Sequence, residues 1–218
     1  MKLAIYDFDG TYINVQTLPM LFKLWNKQRI NRRACRKYKR IIYTRYFFHK
    51  LNLFGWNKQT FRTNAMALTA DLFKTVEFDV LENFLYDFYL EMLKYRNPKI
   101  VQQIKLDKEA GYYTVLLSGN FDIILKPFLK EGFDQVIGTD ILVDKRLMSS
   151  EEVNIIIHNR KQEIITKRFP DADFKASKAY ADSNYDLPIL ELVGHPVAVN
   201  PDPELLEIAK KRNFEIIN

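Results

Sequence analysis

Short, continuous apolar segments alternate with segments of helical periodicity through residues 98–212 of this 218-residue chain. Apolar segments of this kind are typical of parallel strands that are buried on both faces, with helices as the crossovers. The pattern therefore predicts an α/β protein with a doubly wound parallel sheet. The predicted strands are KLAIY (2–6), YYTVLLS (112–118), FDQVIG (133–138), KASKAYA (175–181) and HPVAV (195–199).

A basic segment separates the first predicted strand from this alternating region. No acidic residue lies between Asp9 and Asp71, whereas 13 Lys and Arg do, and the rest of the chain holds 20 basic and 27 acidic residues. Residues 17–95 also show helical patterns and few strand signals. The change in composition predicts two units with different roles, a mildly acidic body and a basic insert.

Polar side chains follow three of the predicted strands. Asp7 and Asp9 follow the first strand, Ser118 ends the second, and Asp182 follows KASKAYA, with Asp186 one helical turn later. Because the carboxyl ends of parallel strands lie at one edge of the sheet, we expect these side chains to meet there. Clustered carboxylates repel one another unless a cation or a proton is shared, and Mg²⁺ prefers such oxygen ligands. The sequence therefore predicts a magnesium site.

Four motifs resemble those of the haloacid dehalogenase-like superfamily, in the same order and with similar spacing across essentially the whole chain. They are DFDGT (7–11), LLSGN (116–120), a lysine that opens a helix, and ADSNYDLPIL (181–190). The sequence is most similar to the subfamily of phosphoserine phosphatase and the bacterial phosphatidylglycerophosphate phosphatases. The resemblance implies a Mg²⁺-dependent phosphatase that acts through an aspartyl-phosphate. It also implies a catalytic core of residues 1–14 and 96–218, with a helical cap of residues 15–95 inserted after the first motif.

The resemblance also implies a role for each motif residue. Asp7 is expected to attack phosphorus, and Asp9 to protonate the leaving alkoxide and later to activate water. The implied catalytic residues are Asp7, Asp9, Ser118 and Lys161. The implied phosphate contacts are Gly10, Thr11, Ser118, Gly119 and Lys161. The implied metal ligands are Asp7, Asp9 through its carbonyl, and Asp182, with Asp186 acting through water or on Lys161.

Two points of this assignment stay open in the sequence. Lys167 and Lys178 are alternatives to Lys161 as the motif lysine. The substrate is the second open point, because phosphoserine carries an ammonium group that needs an acidic partner, and no acid follows Asp9 until Asp71. We therefore expect a lipid-borne phosphate such as phosphatidylglycerophosphate, with a small soluble phosphorylated metabolite as the alternative. A nucleic-acid-binding or regulatory protein that retains the fold is the alternative from another class.

The basic segment itself allows three interpretations. Eleven Lys and Arg lie between residues 23 and 50, and aromatic residues occur among them in RRACRKYKRIIYTRYFFHK (32–50). The charges can simply be solvated on a packed helix, they can contact an anionic membrane, or, less favoured, they can bind nucleic acid. Helical spacing predicts that one face of this helix is lined by Cys35, Tyr38, Ile42 and Tyr46.

The sequence predicts a cytoplasmic protein with peripheral contact at the inner membrane face. The single cysteine, Cys35, cannot form an intrachain disulfide, which fits a reducing compartment. Asp7 and Asp9 interrupt the N-terminal apolar segment, unlike in a signal peptide. No uncharged apolar stretch approaches the roughly 18–20 residues that a membrane span requires.

Overall fold

The computed structural model describes residues 1–51, 58–141, 143–144, 147–148 and 159–218. The chain forms two compact units. One unit consists of Met1–Gln16, Tyr89–Gly138 and Ile156–Asn218. The other consists of Thr17–Phe88 and Thr139–Ile155.

The described strands form a six-stranded sheet and a separate antiparallel pair. The strands are β1 (Leu3–Tyr6), β2 (Tyr113–Phe121), β3 (Gln135–Thr139), β4 (Val143–Asp144), β5 (Leu147–Met148), β6 (Lys178–Ala181), β7 (His195–Val199) and β8 (Glu215–Ile217). The order in the large sheet is β3-β2-β1-β6-β7-β8, and β4 pairs with β5. Strand β1 pairs in parallel with β2 and β6, and β7 continues the parallel pairing to β8.

Helices connect these strands and also make up most of the second unit. The described α-helices are α1 (Thr17–Lys27), α2 (Arg32–Lys50), α3 (Lys58–Phe73), α4 (Phe78–Met92), α5 (Pro98–Glu109), α6 (Asp122–Leu125), α7 (Asn159–Arg168), α8 (Leu187–Leu192) and α9 (Pro203–Arg212). Short 3₁₀ turns occur at Leu93–Tyr95, Lys126–Glu131 and Asn184–Asp186. Within the part of the chain that the structure describes, no helix combines the length and apolarity needed to cross a bilayer.

The predicted parallel sheet is confirmed, with one strand more than the sequence analysis gave. Strand β8 was not predicted, because it has only three residues and none of them is fully buried. It lies at the edge of the sheet beside β7. An edge strand needs no continuous apolar segment, so its sequence signal is weak.

Burial on both faces explains the apolar character of β1. All four residues of the strand are buried. Successive side chains of a strand point to opposite faces, so Leu3 and Ile5 share one face and Ala4 and Tyr6 the other. Leu3 and Ile5 belong to a core cluster whose helical members include Ile165 of α7. On the opposite face, Tyr6 contacts α5.

A buried carboxylate on α5 joins β1 and β6. Asp107 is 1% exposed and accepts hydrogen bonds from the hydroxyls of Tyr6 and Tyr180, the latter at 2.7 Å. Lys178 and Gln103 donate to the other oxygen of Asp107 at 2.7 and 3.0 Å. The two tyrosine rings stack with their centroids 4.4 Å apart. The network therefore fixes two adjacent strands close to the ends that carry Asp7 and Asp182.

We expect Asp107→Ala to lower the free energy of unfolding by roughly 3–5 kcal/mol, because it leaves buried hydroxyls and the Lys178 ammonium without their partner. Chemical denaturation measures this loss. The exposed Asp171 provides the control, since Asp171→Ala should change stability by less than about 0.5 kcal/mol. Equal stability of the two variants would show that the network contributes little.

The long basic helix α2 has the four residues of the predicted face on one side but buries them unequally. Cys35 and Ile42 are buried and Tyr38 is half-buried, but Tyr46 is 43% exposed. Steps of three, four and four residues from Cys35 to Tyr38, Ile42 and Tyr46 keep these side chains within about 80° around the helix. The Tyr46 ring packs edge-on against Phe61 of α3, with the ring centroids 5.4 Å apart. Beside this face, the half-buried Arg45 donates a hydrogen bond to Asn64 of α3 at 3.0 Å.

Candidate active site

Parallel pairing of β1 with β6 places two aspartates at the same edge of the sheet. Asp7 follows β1 directly, and its backbone N–H donates to the Tyr180 carbonyl at 2.9 Å. Asp182 follows β6 directly. The two carboxylates are therefore neighbours although 174 residues separate them in sequence.

Three carboxylates and one ammonium group form the centre of the site. One oxygen from each of Asp7, Asp182 and Asp186 lies within 4.8 Å of the others. The Lys161 Nζ atom is 2.6 Å from Asp7 Oδ1 and 2.6 Å from Asp186 Oδ1. Each of the three side chains in these two ion pairs is about a tenth exposed. Lys161 thus holds the two carboxylates by charge-assisted hydrogen bonds, which are strong because water is largely excluded.

The two alternative lysines lie elsewhere. Lys167 is exposed at the end of α7. Lys178 begins β6, at the opposite end of the strand from Asp182, and pairs with Asp107 at 2.7 Å. The structure therefore brings Lys161, and neither of these two, against Asp7.

Burial and repulsion from neighbouring carboxylates raise the pKa values of Asp7 and Asp182 in the metal-free protein. Burial raises the pKa of Asp7 to about 7 against the attraction of Lys161, and Asp186 adds to the rise. Burial, together with Asp7 and Asp186, raises the pKa of Asp182 to about 8. Burial disfavours the charge on Lys161, but Asp186 and Asp7 outweigh it and raise the pKa of that lysine. The site thus has more negative charge than one ammonium group can neutralise.

Asp9 lies in a different environment from Asp7. Its Oδ2 accepts a hydrogen bond from the side-chain amide of Asn120 at 3.0 Å, and the same amide lies 3.2 Å from Ser118 Oγ. The Asn120 backbone N–H also donates to Ser118 Oγ at 3.2 Å. The sequence analysis gave Asn120 no role, although it follows Ser118 by two residues in β2. Residues two apart in a strand share a face, which could have indicated this contact.

The turn after Asp7 requires glycine. Gly10 has φ +81°, and a Cβ atom there would lie 2.0 Å from Asp182 Oδ2. The Gly10 N–H donates to the Ile13 carbonyl at 2.7 Å, so the chain turns back closely beside the carboxylates. Thr11 is fully buried, and within the described ranges its hydroxyl has no hydrogen-bond partner. Gly119 lies in β2 between Ser118 and Asn120.

Asp202, for which no role was predicted from the sequence, positions the loop after β6. The Asp202 N–H donates to the Asp182 carbonyl at 2.8 Å. The Asp202 side chain accepts from the backbone N–H of Asn184 at 3.3 Å and from that of Leu205 at 2.8 Å. Asp202 therefore caps α9 and ties it to the loop that carries Asp182 and Asp186. The sequence Asp202–Pro203 is itself a helix-start signal, but nothing in it shows the contact with Asp182.

The donor set fits a divalent cation that binds hard oxygen ligands. The carboxylates of Asp7, Asp182 and Asp186 converge, and one cation, Lys161, contacts two of them. The raised pKa values of Asp7 and Asp182 come first from burial and then from the neighbouring carboxylates, and a bound cation would counter both effects. In proteins, Mg²⁺ is typically held by a few carboxylate oxygens, while water molecules and phosphate oxygens occupy its other positions. The Asp9 carboxylate does not belong to this cluster. The predicted contact of the Asp9 backbone carbonyl with the metal remains a proposal.

The fold and these motifs define a hydrolase class. The sequence profile of haloacid dehalogenase-like hydrolases matches residues 4–191. The chain therefore belongs to the haloacid dehalogenase-like hydrolase family, and the resemblance seen in the sequence is confirmed.

Individual proteins are similar either over a short segment or at low identity. Histidinol-phosphatase from Neisseria meningitidis is 54% identical over 39 residues, which are 18% of this chain and 18% of that protein. The structure of a protein with unknown function from Bordetella pertussis Tohama I superposes with a TM-score of 0.83 at 20% identity, covering 100% of this chain and 98% of the other. A substrate-bound phosphoserine phosphatase superposes with a TM-score of 0.65 at 20% identity, covering 99% and 92%. The two structural likenesses show the shared fold.

Proposed function

We propose that the protein is a Mg²⁺-dependent phosphomonoester hydrolase that acts through an aspartyl-phosphate on Asp7. The observation that carries this proposal is the contrast between two carboxylates only two residues apart. Asp7 contacts Lys161 in the acidic cluster, whereas Asp9 is held by the neutral amide of Asn120. Separate environments allow one carboxylate to act as a nucleophile and the other to carry a proton.

The proposed reaction has two steps. An Asp7 oxygen bonds to phosphorus while the bond from phosphorus to the ester oxygen breaks, and Asp9 gives its proton to that oxygen. Water then attacks the phosphorus, Asp9 takes a proton from the water, and the acyl-phosphate bond breaks to release phosphate and the Asp7 carboxylate. Lys161 neutralises charge on Asp7 and on the phosphoryl group, while Ser118 and the Gly119 N–H bind phosphate oxygens.

The metal would be held by Asp7, Asp182 and the Asp9 carbonyl, with Asp186 positioned to orient Lys161. Bound Mg²⁺ would neutralise charge on the carboxylates and on the phosphate oxygens. The proximity of Gly10 to Asp182 supports this arrangement, because only a residue without a side chain lets Asp182 approach the turn after Asp7. Gly10 and Thr11 would then line the phosphate position with their backbone.

Mg²⁺ affinity should rise by about tenfold or more between pH 6 and pH 8, because the metal must displace protons from its ligands. In the metal-free protein the pKa is about 7 for Asp7 and about 8 for Asp182, so both carboxyl groups are mostly protonated at pH 6. Calorimetric titration of Mg²⁺ in buffers of different ionisation enthalpy measures both the affinity and the protons released. Affinity that does not change with pH, without proton release, would contradict this cluster as the metal site.

For the substrate, we propose a lipid-borne phosphate such as phosphatidylglycerophosphate. The absence of an acidic residue between Asp9 and Asp71 supports a substrate without an ammonium group near the phosphate. The name histidinol-phosphatase of one relative and the phosphoserine phosphatase structures support phosphate-ester chemistry in general. The buried, unpaired Cys35 agrees with activity in the cytoplasm, from which the protein would reach the inner face of the membrane.

A substrate panel tests this function. It should contain p-nitrophenyl phosphate, phosphoserine, histidinol phosphate, and phosphatidylglycerophosphate in mixed micelles. We expect hydrolysis of p-nitrophenyl phosphate, loss of activity with EDTA, recovery with Mg²⁺, and the highest kcat/KM on the lipid. Asp182→Ala should not recover at the Mg²⁺ concentration that restores the wild type. Preference for a soluble ester would favour a metabolite phosphatase, and no hydrolysis of any ester would favour a binding or regulatory protein.

A further inference from the structure

The exposed face of α2 is divided along its length into a basic half and an aromatic half. Its N-terminal half exposes six basic residues. They are Arg32, Arg33, Arg36, Lys37, Lys39 and Arg40. Its C-terminal half exposes Tyr43, Tyr46 and Phe47, with Leu51 just beyond the helix. Helical steps of four, three and four residues lead from Arg32 to Arg36, then to Lys39 and then to Tyr43. Such steps keep these side chains on one side of the helix, and that side therefore runs through both halves.

The basic half is not explained by ion pairs with the residues that the structure describes. Helix α2 contains no acidic residue. Across the ranges that the structure describes, none of the six basic side chains forms an ion pair. Arg32 and Arg33 also lie in the first turn of the helix, where positive charge is unfavourable to the helix dipole. A basic cluster that forms no ion pair with the described residues and begins against the dipole favours an external anion as its partner.

The aromatic half is not explained by the core of the protein. Helix α2 already buries Cys35 and Ile42, and Tyr46 borders them with its ring against Phe61 of α3, centroids 5.4 Å apart. Tyr43, Tyr46 and Phe47 nevertheless remain 50%, 43% and 56% exposed. Lysine ammonium groups lie over two of these rings, Lys39 over Tyr43 at 5.5 Å and Lys50 over Tyr46 at 5.7 Å. Aromatic rings bordered by lysine are typical of segments at the boundary between lipid headgroups and acyl chains.

We propose that this exposed face of α2 is the surface by which the protein binds anionic lipid bilayers. The basic half would lie against lipid phosphates, and the aromatic half would enter the headgroup region. The separation of the two halves favours a bilayer over nucleic acid, because single-strand binding needs aromatic rings spaced among the cations along the strand. Binding by this face does not depend on the catalytic proposal, since none of its residues belongs to the acidic cluster.

The test is sedimentation with vesicles of phosphatidylcholine alone or with 30% phosphatidylglycerol, from 50 to 500 mM NaCl. We expect binding only to the anionic vesicles, weakening steeply as salt screens the charges. A charge variant should bind at least about 100-fold more weakly, because each basic residue near such a surface contributes roughly fivefold. Its substitutions are Arg32→Gln, Arg33→Gln, Arg36→Gln, Lys37→Gln, Lys39→Gln and Arg40→Gln.

A control variant removes the same net charge from exposed positions in the other unit. Its substitutions are Lys105→Gln, Lys130→Gln, Lys167→Gln, Arg168→Gln, Lys210→Gln and Lys211→Gln. This control should retain vesicle binding within about threefold, because the contact is local and not a response to overall charge. An aromatic variant with Tyr43→Ser and Phe47→Ser should bind about tenfold or more weakly at every salt concentration, with an unchanged salt dependence.

All three variants should unfold cooperatively and hydrolyse p-nitrophenyl phosphate at the rate of the wild type, and the charge variant should unfold at an equal or higher temperature because it removes positive charge from the helix N-terminus. These measurements separate membrane binding from folding and catalysis. Equal losses of vesicle binding in the charge variant and its control would overturn the proposal. So would tighter binding of a 20-nucleotide oligo-dT than of anionic vesicles, since it would assign the face to nucleic acid. Vesicle binding by a protein that hydrolyses no ester would refute the proposed function alone.

Discussion

Replacing Asp7 by asparagine should reduce turnover of every phosphate ester by about 10⁴-fold or more. An amide cannot form the acyl-phosphate, and no neighbouring carboxylate can replace it, because Asp182 and Asp186 are committed to the cation and to Lys161 in this account. The variant should remain folded. Asp186 still pairs with Lys161 at 2.6 Å, and removing one carboxylate relieves repulsion with Asp182.

Steady-state hydrolysis of p-nitrophenyl phosphate measures this loss, with Asp171→Asn as the control for removal of an exposed aspartate. The control should retain full activity. The thermal midpoint of Asp7→Asn should be equal to that of the wild type or higher. Turnover by Asp7→Asn within tenfold of the wild type, in a preparation freed of contaminating phosphatase, would exclude Asp7 as the nucleophile.

Replacing Asp9 by asparagine should slow hydrolysis of alkyl phosphates by about 10²–10⁴-fold. The alkoxide of such a substrate is a poor leaving group that needs a proton, and the amide cannot supply one. A nitrophenolate leaves without a proton, so the first step with p-nitrophenyl phosphate should be nearly unaffected. The second step should still be slow, because water needs the base.

Pre-steady-state kinetics separates the two steps. For Asp9→Asn we expect a rapid burst of nitrophenolate followed by slow turnover. Asn120→Ala should show a weaker form of the same selectivity for leaving groups, because Asn120 orients Asp9 without exchanging protons. Equal losses on alkyl and nitrophenyl esters, without a burst, would rule out Asp9 as the acid and base.

The fold could be predicted largely from the sequence, because buried parallel strands leave a continuous apolar signal. HPVAV was predicted with the bounds that the structure gives to β7. The segment YDLPILELV (185–193) has a helical pattern along its length, but the structure divides it into the end of a 3₁₀ turn and α8, in which Pro188 is the second residue. Strand β8 was missed because its stability comes from pairing with β7, a contact that local sequence does not record.

The candidate site could be predicted where its residues follow strands, and much less where they come from helices or loops. Asp7 and Asp182 follow adjacent strands, so sheet topology alone brings them together. Lys161 could not be distinguished from Lys167 by pattern, since the choice depends on where α7 packs against the sheet. Asn120 contacts Asp9, which lies 111 residues away in the chain, and Asp202 contacts Asp182, which lies 20 residues away. Both contacts exist only in the folded protein.

Direct capture of the phosphorylated enzyme tests the central claim, covalent catalysis by Asp7. Asp9→Asn protein would be mixed with ³²P-labelled nitrophenyl phosphate and Mg²⁺, quenched in acid and digested with trypsin. We predict close to one phosphate per protein, located on the peptide that begins at Leu3 and ends at Lys23, and released by hydroxylamine. The same experiment on the double variant Asp7→Asn, Asp9→Asn should give no label. Label elsewhere in the chain, or a burst of nitrophenolate with no labelled protein, would contradict the account.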